Sequence, residues 1–288
     1  MDQIIDTHTH FFDPHRPQGV PWPPSDNPDL YRTTLPEHFL EVAAGHGVTH
    51  TVVVEASSWL EDNQWILDLA DDAELTGHAA IAGLVGNIRN DDSDFRTHLD
   101  RFRAHPLFRG IRLGNDAITG RGRTTIVDTV RELVARDLAL DVVPGAPELP
   151  ALIDLCDAVP EAHVVIDHVG QVPIDGSAPD PAWCEGMAVL ARAPHVYCKI
   201  SGLVENAVTK PSPADVRFYE PTLDALWERF GAERLLFASN WPVCRRGGPY
   251  ATVFALAQAY VERHGPEAEA RVFRENAIAA YRLPEPRS

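Results

Sequence analysis

The sequence has few cysteines, and their spacing is not typical of a disulfide framework. Its 288 residues contain four cysteines, and no two of them form a C-x-x-C pair. Four cysteines spread over a chain of this length do not indicate a fold that is stabilised by disulfide bonds. We therefore expect reduced cysteines and a cytoplasmic protein. The four residues are Cys156, Cys184, Cys198 and Cys244.

Basic residues are also scarce relative to acidic ones. Lysine and arginine total 25 against 42 aspartates and glutamates, which gives a formal net charge of −17. A surface this acidic repels phosphate backbones and anionic lipids, so we expect neither a nucleic-acid partner nor a membrane partner. A small-molecule substrate is expected instead. An anionic one is not excluded, because local arginines can reverse the field inside a pocket.

Long apolar runs are missing as well. No stretch approaches the ~18 apolar residues that a membrane-spanning helix needs. The N-terminus reaches Asp2 and Asp6 without a basic region followed by an apolar core, so we expect no secretory signal. Hydrophobic residues nevertheless make up 44% of the chain, which is enough for a large core.

What the sequence does contain is an apolar run, Ile4 to Phe12, that includes His8-x-His10. Side chains alternate faces along a strand, so the two histidines point the same way, about 7 Å apart. Two imidazoles on one face can bind one metal ion or polarise one oxygen. The alternative is that the pair arises by chance among 13 histidines. A second apolar run that ends in polar residues, Leu235 to Pro242, favours a functional pair.

Strand-like and helix-like segments alternate along the rest of the chain. This alternation predicts a single (β/α)8 TIM barrel over residues 1–288, with no shift in composition that would mark a second domain. Residues 13–35 carry six prolines and interrupt the pattern. We expect this Pro-rich segment to form a lid or wall over the site, the alternative being a surface excursion without a role. The predicted strands after the first are Val48–Glu55, Ala79–Gly86, Arg109–Gly114, Leu138–Val143, Ala162–His168, His195–Ser201 and Arg234–Asn240.

Polar side chains stand where these predicted strands end. In (β/α)8 barrels the carboxyl ends of the strands carry the active site. Each side chain alone has an ordinary explanation, such as a core histidine or a surface ion pair, but together they indicate one polar mouth. The residues are His8, His10, Glu55, Arg112, His168, Lys199, Ser201 and Asn240.

Several of these segments, taken in order, resemble the amidohydrolase superfamily. The resemblance is strongest to its amidohydrolase-2 branch, which includes sugar lactonases and the 2-pyrone-4,6-dicarboxylate lactonase. It covers almost the whole chain and is specific for the branch rather than for a substrate. The segments are His8-x-His10, Arg109–Arg112, Val165–Gly170, Cys198–Leu203, Phe237–Val243 and Glu275–Ala277 with Tyr281–Leu283.

The resemblance implies a hydrolase that opens a small lactone by attack of water on the ring carbonyl. It implies that His8, His10 and His168 bind one divalent metal such as zinc, or polarise the substrate without a metal. Arg112 corresponds to a substrate-binding arginine. Glu55, Lys199, Ser201 and Trp241 are further candidates for substrate binding.

Asn240 departs from the family pattern, which has an aspartate at this place as the general base. A neutral amide cannot take a proton from water near pH 7, and loss of a general base typically costs about 10²–10⁴-fold in rate. Either another group activates water or the chemistry differs. The alternatives to a lactonase are therefore a decarboxylase, a hydrolase of another ester or amide, and a catalytically silent barrel that binds a small acid. The sequence does not indicate the oligomeric state.

Overall fold

The sheet of the computed structural model, which describes residues 3–76, 80–120 and 123–284, has eight parallel strands. Each strand is hydrogen-bonded to the next in chain order. Valine-rich runs such as Val52–Val54 favour strands because branched side chains pack well on a pleated surface. The strands are β1 (Ile4–Thr9), β2 (Val48–Val54), β3 (Ile81–Gly86), β4 (Phe108–Leu113), β5 (Ala139–Val142), β6 (Val164–Ile166), β7 (Val196–Ile200) and β8 (Leu235–Phe237).

The sheet closes because the chain after β8 returns to β1. Thr9 forms a parallel bridge with Trp241, and the His10 amide donates to the Trp241 carbonyl oxygen at 2.9 Å. Lower in the barrel, the Thr7 hydroxyl donates to the Phe237 carbonyl oxygen at 2.7 Å. The predicted (β/α)8 barrel is confirmed, and the carboxyl ends of all strands meet at one mouth.

Helices separate the strands and surround the barrel. The stretch from Tyr250 to Tyr281 contains three α-helices, a 3₁₀ turn at Glu262–His264 and a π-helical turn at Arg271–Glu275. Ala79, the predicted start of the third strand, lies outside the described residues. The helices are α1 (Pro36–Ala43), α2 (Asp62–Thr76), α3 (Phe95–Arg103), α4 (Asn115–Thr119), α5 (Arg123–Val134), α6 (Leu149–Ala158), α7 (Pro181–Leu190), α8 (Leu203–Asn206), α9 (Glu220–Phe230), α10 (Tyr250–Val261), α11 (Pro266–Ala270) and α12 (Asn276–Tyr281).

The alternation of faces divides the core into two layers. In β2, Val53 packs between the sheet and the helices, whereas Val52 and Val54 face the barrel interior. Helix α12 packs against this interior layer with Ala277, Ala280 and Tyr281. The barrel is therefore filled below its mouth.

The Pro-rich segment is fixed to the barrel by a buried ion pair. Arg16 Nη1 lies 2.9 Å from Asp62 Oδ1, and the guanidinium stacks 4.3 Å above the ring of Trp65. Trp22 of the segment packs edge-on against His10, with ring centroids 5.5 Å apart. The segment therefore reaches the mouth of the barrel, and its role as a lid or wall stays a prediction.

Among the described residues, every helix is too short or too polar to cross a bilayer.

Candidate active site

Three histidine rings form one cluster at the mouth of the barrel. His8 and His10 extend from β1 with ring centroids 4.9 Å apart, and the ring of His168, just after β6, is 4.4 Å from that of His8. All three side chains are buried. Burial lowers the pKa of His10 to about 3 and that of His168 to about 4, and it holds the pKa of His8 well below its usual value. The three imidazoles are therefore neutral near pH 7.

Below His8 lies a fully buried ion-pair network. Lys199 Nζ is 2.6 Å from Asp141 Oδ2, 2.8 Å from Asp167 Oδ1 and 3.2 Å from His8 Nδ1. The Tyr281 hydroxyl donates to Asp141 Oδ2 at 2.9 Å. Burial alone would lower the pKa of Lys199, but the two carboxylates raise it. The same ammonium holds the pKa of Asp167 well below its usual range against the opposing effect of burial.

His10 is held from both of its ring nitrogens. Nδ1 lies 2.6 Å from the Val54 carbonyl oxygen, and Nε2 lies 3.2 Å from Asn240 Oδ1. The amide of Asn240 in turn donates through Nδ2 to Glu205 Oε1 at 2.8 Å. Asn240 has a left-handed backbone with φ of 59°, a conformation that asparagine tolerates better than most residues.

His168 is positioned by β7. Its Nδ1 lies 2.9 Å from the Ser201 hydroxyl, which also accepts from the His168 amide at 3.2 Å. His168 itself has a left-handed backbone with φ of 53°. Gly202 allows this close approach, because a Cβ there would lie 2.7 Å from the Cβ of His168 and its own φ is +68°. A glycine is therefore required beside the histidine.

A cavity of about 550 Å³ opens above the histidines. This volume is within the range of roughly 300–1,000 Å³ that is usual for small-molecule sites. Three of the described residues that line it are cations, although the protein as a whole is acidic, namely Arg112, Lys210 and Arg246. The other lining residues are His10, Trp22, Ala56, His168, Gln171, Gly202, Glu205, Asn206, Asn240 and Val243.

The residues predicted to bind substrate lie at different depths. Arg112 lines the cavity and donates through Nη2 to the Glu55 carbonyl oxygen at 2.8 Å. The Glu55 carboxylate instead accepts from the backbone amide of Ser57, two residues further along the chain, at 2.6 Å. It lines a separate small cavity under the Pro-rich segment, where burial raises its pKa to about 7.

The other three candidates, Ser201, Lys199 and Trp241, lie beneath or beside the cavity lining. Ser201 lies beneath His168, and Lys199 lies beneath His8 with no exposed surface. The ring of Trp241 packs in the helix layer, 5.7 Å from that of Phe39. Its side chain lies in the apolar layer between the sheet and the helices. None of the three is among the described residues that line the cavity, which differs from the predicted role in direct contact with substrate.

A family model described as Amidohydrolase (Amidohydro_2) matches residues 5–283. The chain belongs to this amidohydrolase family. An L-fucono-1,5-lactonase of Burkholderia ambifaria is 34% identical over 98% of this chain and 96% of its own length. Another L-fucono-1,5-lactonase, from Burkholderia multivorans, is 31% identical over 98% of this chain and 97% of its own length. The predictions of the family and of a lactonase-like hydrolase are confirmed.

A solved structure extends this likeness to the whole fold. An amidohydrolase from Burkholderia multivorans with bound zinc superposes with a TM-score of 0.83 at 27% identity. The superposition covers 98% of this chain and all of that one.

This amidohydrolase has a buried group of potential metal ligands within the described residues. Ligand atoms of His8, Asp167 and His168 all lie within 4.8 Å of one another. Nε2 of His8 and Oδ2 of Asp167 are buried and have no hydrogen-bond partner. Two neutral imidazoles and a carboxylate are a donor set that suits zinc, so the residues fit the metal. The set differs from the predicted one, since Asp167 takes the place of His10, whose two nitrogens face Val54 and Asn240.

Two carboxylates at the site were missed in the sequence. Asp167 directly precedes the predicted ligand His168, and Glu205 follows four residues after Ser201 at the end of β7. Asp167 could have been found, because an Asp-His pair at a strand end offers two kinds of ligand. Glu205 lies beyond the strand on the short helix α8, where strand periodicity gives no signal.

Proposed function

We propose that this protein hydrolyses the ring ester of a small sugar-acid lactone. The observation that carries the proposal is a cluster of three buried, neutral imidazoles, of which His10 and His168 line a cavity together with Arg112. Neutral imidazoles can donate to a carbonyl oxygen or bind a metal, and both uses polarise an ester. The full-length relatives named L-fucono-1,5-lactonase support a sugar-acid lactone in particular.

In this proposal Lys199 favours one tautomer of His8. An ammonium can only donate, so Nδ1 of His8 accepts and Nε2 carries the proton. For His168, the Ser201 hydroxyl accepts from the backbone amide and has its own hydrogen left for Nδ1, so Nε2 again carries the proton. The two Nε2–H groups would stabilise the negative charge that develops on the carbonyl oxygen as water adds.

In the opposite tautomers Nδ1 carries the proton, which His8 can donate to Asp167 Oδ1 at 3.3 Å, and the two Nε2 atoms become metal ligands. His8 Nε2, His168 Nε2 and Asp167 would hold a zinc ion. When bound, zinc supplies Lewis-acid polarisation of a carbonyl group and lowers the pKa of a coordinated water. The hydroxyl of Ser201 rotates freely enough to serve either tautomer of His168, so the site is compatible with both modes.

Arg112 is proposed to orient the substrate. Its guanidinium uses one nitrogen for the Glu55 carbonyl oxygen and keeps further donors on the cavity side. A guanidinium fork binds carbonyl and carboxylate oxygens in a fixed geometry. The same group would then retain the hydroxy-acid product, whose carboxylate forms when the ring C–O bond breaks.

A panel of lactones read with a pH indicator tests the proposal. The panel includes L-fucono-1,5-lactone, other aldonolactones and a carboxylated pyrone, and each rate is compared with that of His168→Asn to subtract spontaneous ring opening. We expect acid release well above this control for at least one aldonolactone. If no lactone is opened faster than in the control while hydroxy acids still bind by calorimetry, the protein is a silent binding barrel and the proposal is wrong.

A further inference from the structure

The carboxylate of Glu205 lies next to Asn240, the residue at the position where the family pattern has an aspartate. Asn240 stands at the end of β8 and neither takes up nor releases a proton near pH 7. Its Nδ2 donates to Oε1 of Glu205 at 2.8 Å, and both side chains line the same cavity. The carboxylate therefore comes from α8 rather than from the segment that follows β8.

The second carboxylate oxygen of Glu205, Oε2, is available to a ligand. Oε2 of Glu205 is buried and makes no hydrogen bond within the described residues. A buried carboxylate oxygen without a donor costs free energy unless a ligand or a proton completes it. Because the side chain lines the cavity, the missing partner would be water or a substrate group.

The surroundings set the affinity of Glu205 for a proton. Burial raises its pKa to about 7, while the bond from Asn240 and the charges of Lys210 and Arg246 oppose that rise. The other titratable groups around it are Tyr219 and Cys244, whose own pKa values are raised mainly by burial. A group that titrates near neutrality can both take a proton and return it.

We propose that Glu205 is the general base of this site and that Asn240 positions it. The inference rests on the proposed lactone hydrolysis. Glu205 takes a proton from water as the water oxygen bonds to the carbonyl carbon. The tetrahedral intermediate then collapses, the ring C–O bond breaks, and the proton passes from Glu205 to the departing ring oxygen. One water is added, and the product is a hydroxy acid.

The pairing also accounts for an amide at position 240. An aspartate there would face Glu205 across 2.8 Å in a buried place, and two carboxylates at such a distance cannot both ionise. With asparagine, one carboxylate remains and receives a hydrogen bond. The amide thus keeps Glu205 oriented toward the cavity without competing for its proton.

The test compares Glu205→Gln with the wild-type protein on the best lactone of the panel. Glutamine can still accept from Asn240 but cannot take a proton, so a purely structural role is preserved. We expect kcat to fall by about 10²–10⁴-fold with little change in KM, and the acid limb of the pH–rate profile, with its midpoint about 7, to disappear. Glu185→Gln, on the exposed side of α7, is the matched control and keeps the wild-type rate.

A second variant exchanges the two groups. Asn240→Asp combined with Glu205→Gln moves the carboxylate across the same hydrogen bond, and we expect it to be at least tenfold faster than Glu205→Gln alone. The inference is overturned if Glu205→Gln keeps kcat within threefold, if the acid limb persists, or if the exchange gives no recovery in a folded protein. Absence of turnover in the wild-type protein overturns the proposed function, and this inference with it. Wild-type turnover with an unaffected Glu205→Gln overturns this inference alone.

Discussion

Replacement of Lys199 by methionine tests the ion-pair network beneath the histidines. Methionine has a similar length and no charge, so the change removes the ammonium with little change in volume. Asp141 keeps its bond from the Tyr281 hydroxyl. Asp167 loses the ammonium 2.8 Å away, and its remaining close contact is His8, at 3.3 Å. The variant therefore leaves two carboxylates in a fully buried site without a cation.

The cost follows from this geometry. Removal of one partner from a buried ion pair typically destabilises a protein by about 3–5 kcal/mol, because the other charge stays buried. For a domain of this size, 1 kcal/mol corresponds to a change in Tm of about 2–4 °C. We therefore expect Lys199→Met to lower Tm by roughly 6–20 °C. Lys210→Met is the matched control, since Lys210 is exposed, and it should cost under about 1 kcal/mol.

The loss depends on pH in a defined direction. In the wild-type protein the folded-state pKa of Asp167 is lowered, so its contribution to stability is present above about pH 4, the unfolded value, and is lost as pH falls further. Lys199 has a raised pKa and contributes fully below about pH 10. In the variant, burial raises the pKa of both carboxyl groups. The difference between the two proteins should therefore be larger at pH 8 than at pH 5.

Urea unfolding followed by far-UV circular dichroism at pH 5 and pH 8 measures this difference. Asp167→Asn added to Lys199→Met should recover part of the stability, because it removes one uncompensated charge. A free-energy difference below about 1 kcal/mol at pH 8, or one that grows toward pH 5, would refute the reasoning.

Two further predictions concern ligands. Arg112→Ala should raise the KM of the best lactone at least about tenfold, because a charge-assisted hydrogen bond is lost. The Tm should stay within a few degrees of the wild-type value. An unchanged KM would show that the guanidinium does not contact the substrate. Elemental analysis of protein purified in zinc without chelator should give one equivalent of zinc per chain. We expect His8→Ala and Asp167→Ala to lose this zinc and His10→Ala to retain it. Loss of zinc in His10→Ala and its retention in Asp167→Ala would instead support the ligand set predicted from the sequence.

The barrel could be predicted because its signal is repeated. Each strand is a short apolar run followed by a helical pattern, and parallel strands with right-handed crossovers leave few alternative topologies. His8 and His10 share a face because strand periodicity is 2, which holds whatever the rest of the chain does.

Strand periodicity could not predict which side chains face the barrel interior and which of them line the cavity. Parallel strands are buried on both faces, so the sequence placed Lys199 opposite Cys198 and Ile200 without deciding which face is the interior. Its position beside Asp141 depends on contact inside the barrel between side chains of β5 and β7, two strands that are separated by β6. Glu205 reaches the site through a turn in which Gly202 has a positive φ, and strand periodicity ends before that turn.

The chain contains only two lysines, Lys199 and Lys210, and the fold places both at this site. Lys199 has no exposed surface, whereas Lys210 is exposed at the rim of the cavity. Amine-directed reagents therefore meet one accessible lysine side chain, besides the terminal amine. A fluorophore coupled there would sit at the entrance to the cavity and report ligand entry, whereas immobilisation through the same lysine would turn that entrance toward the support.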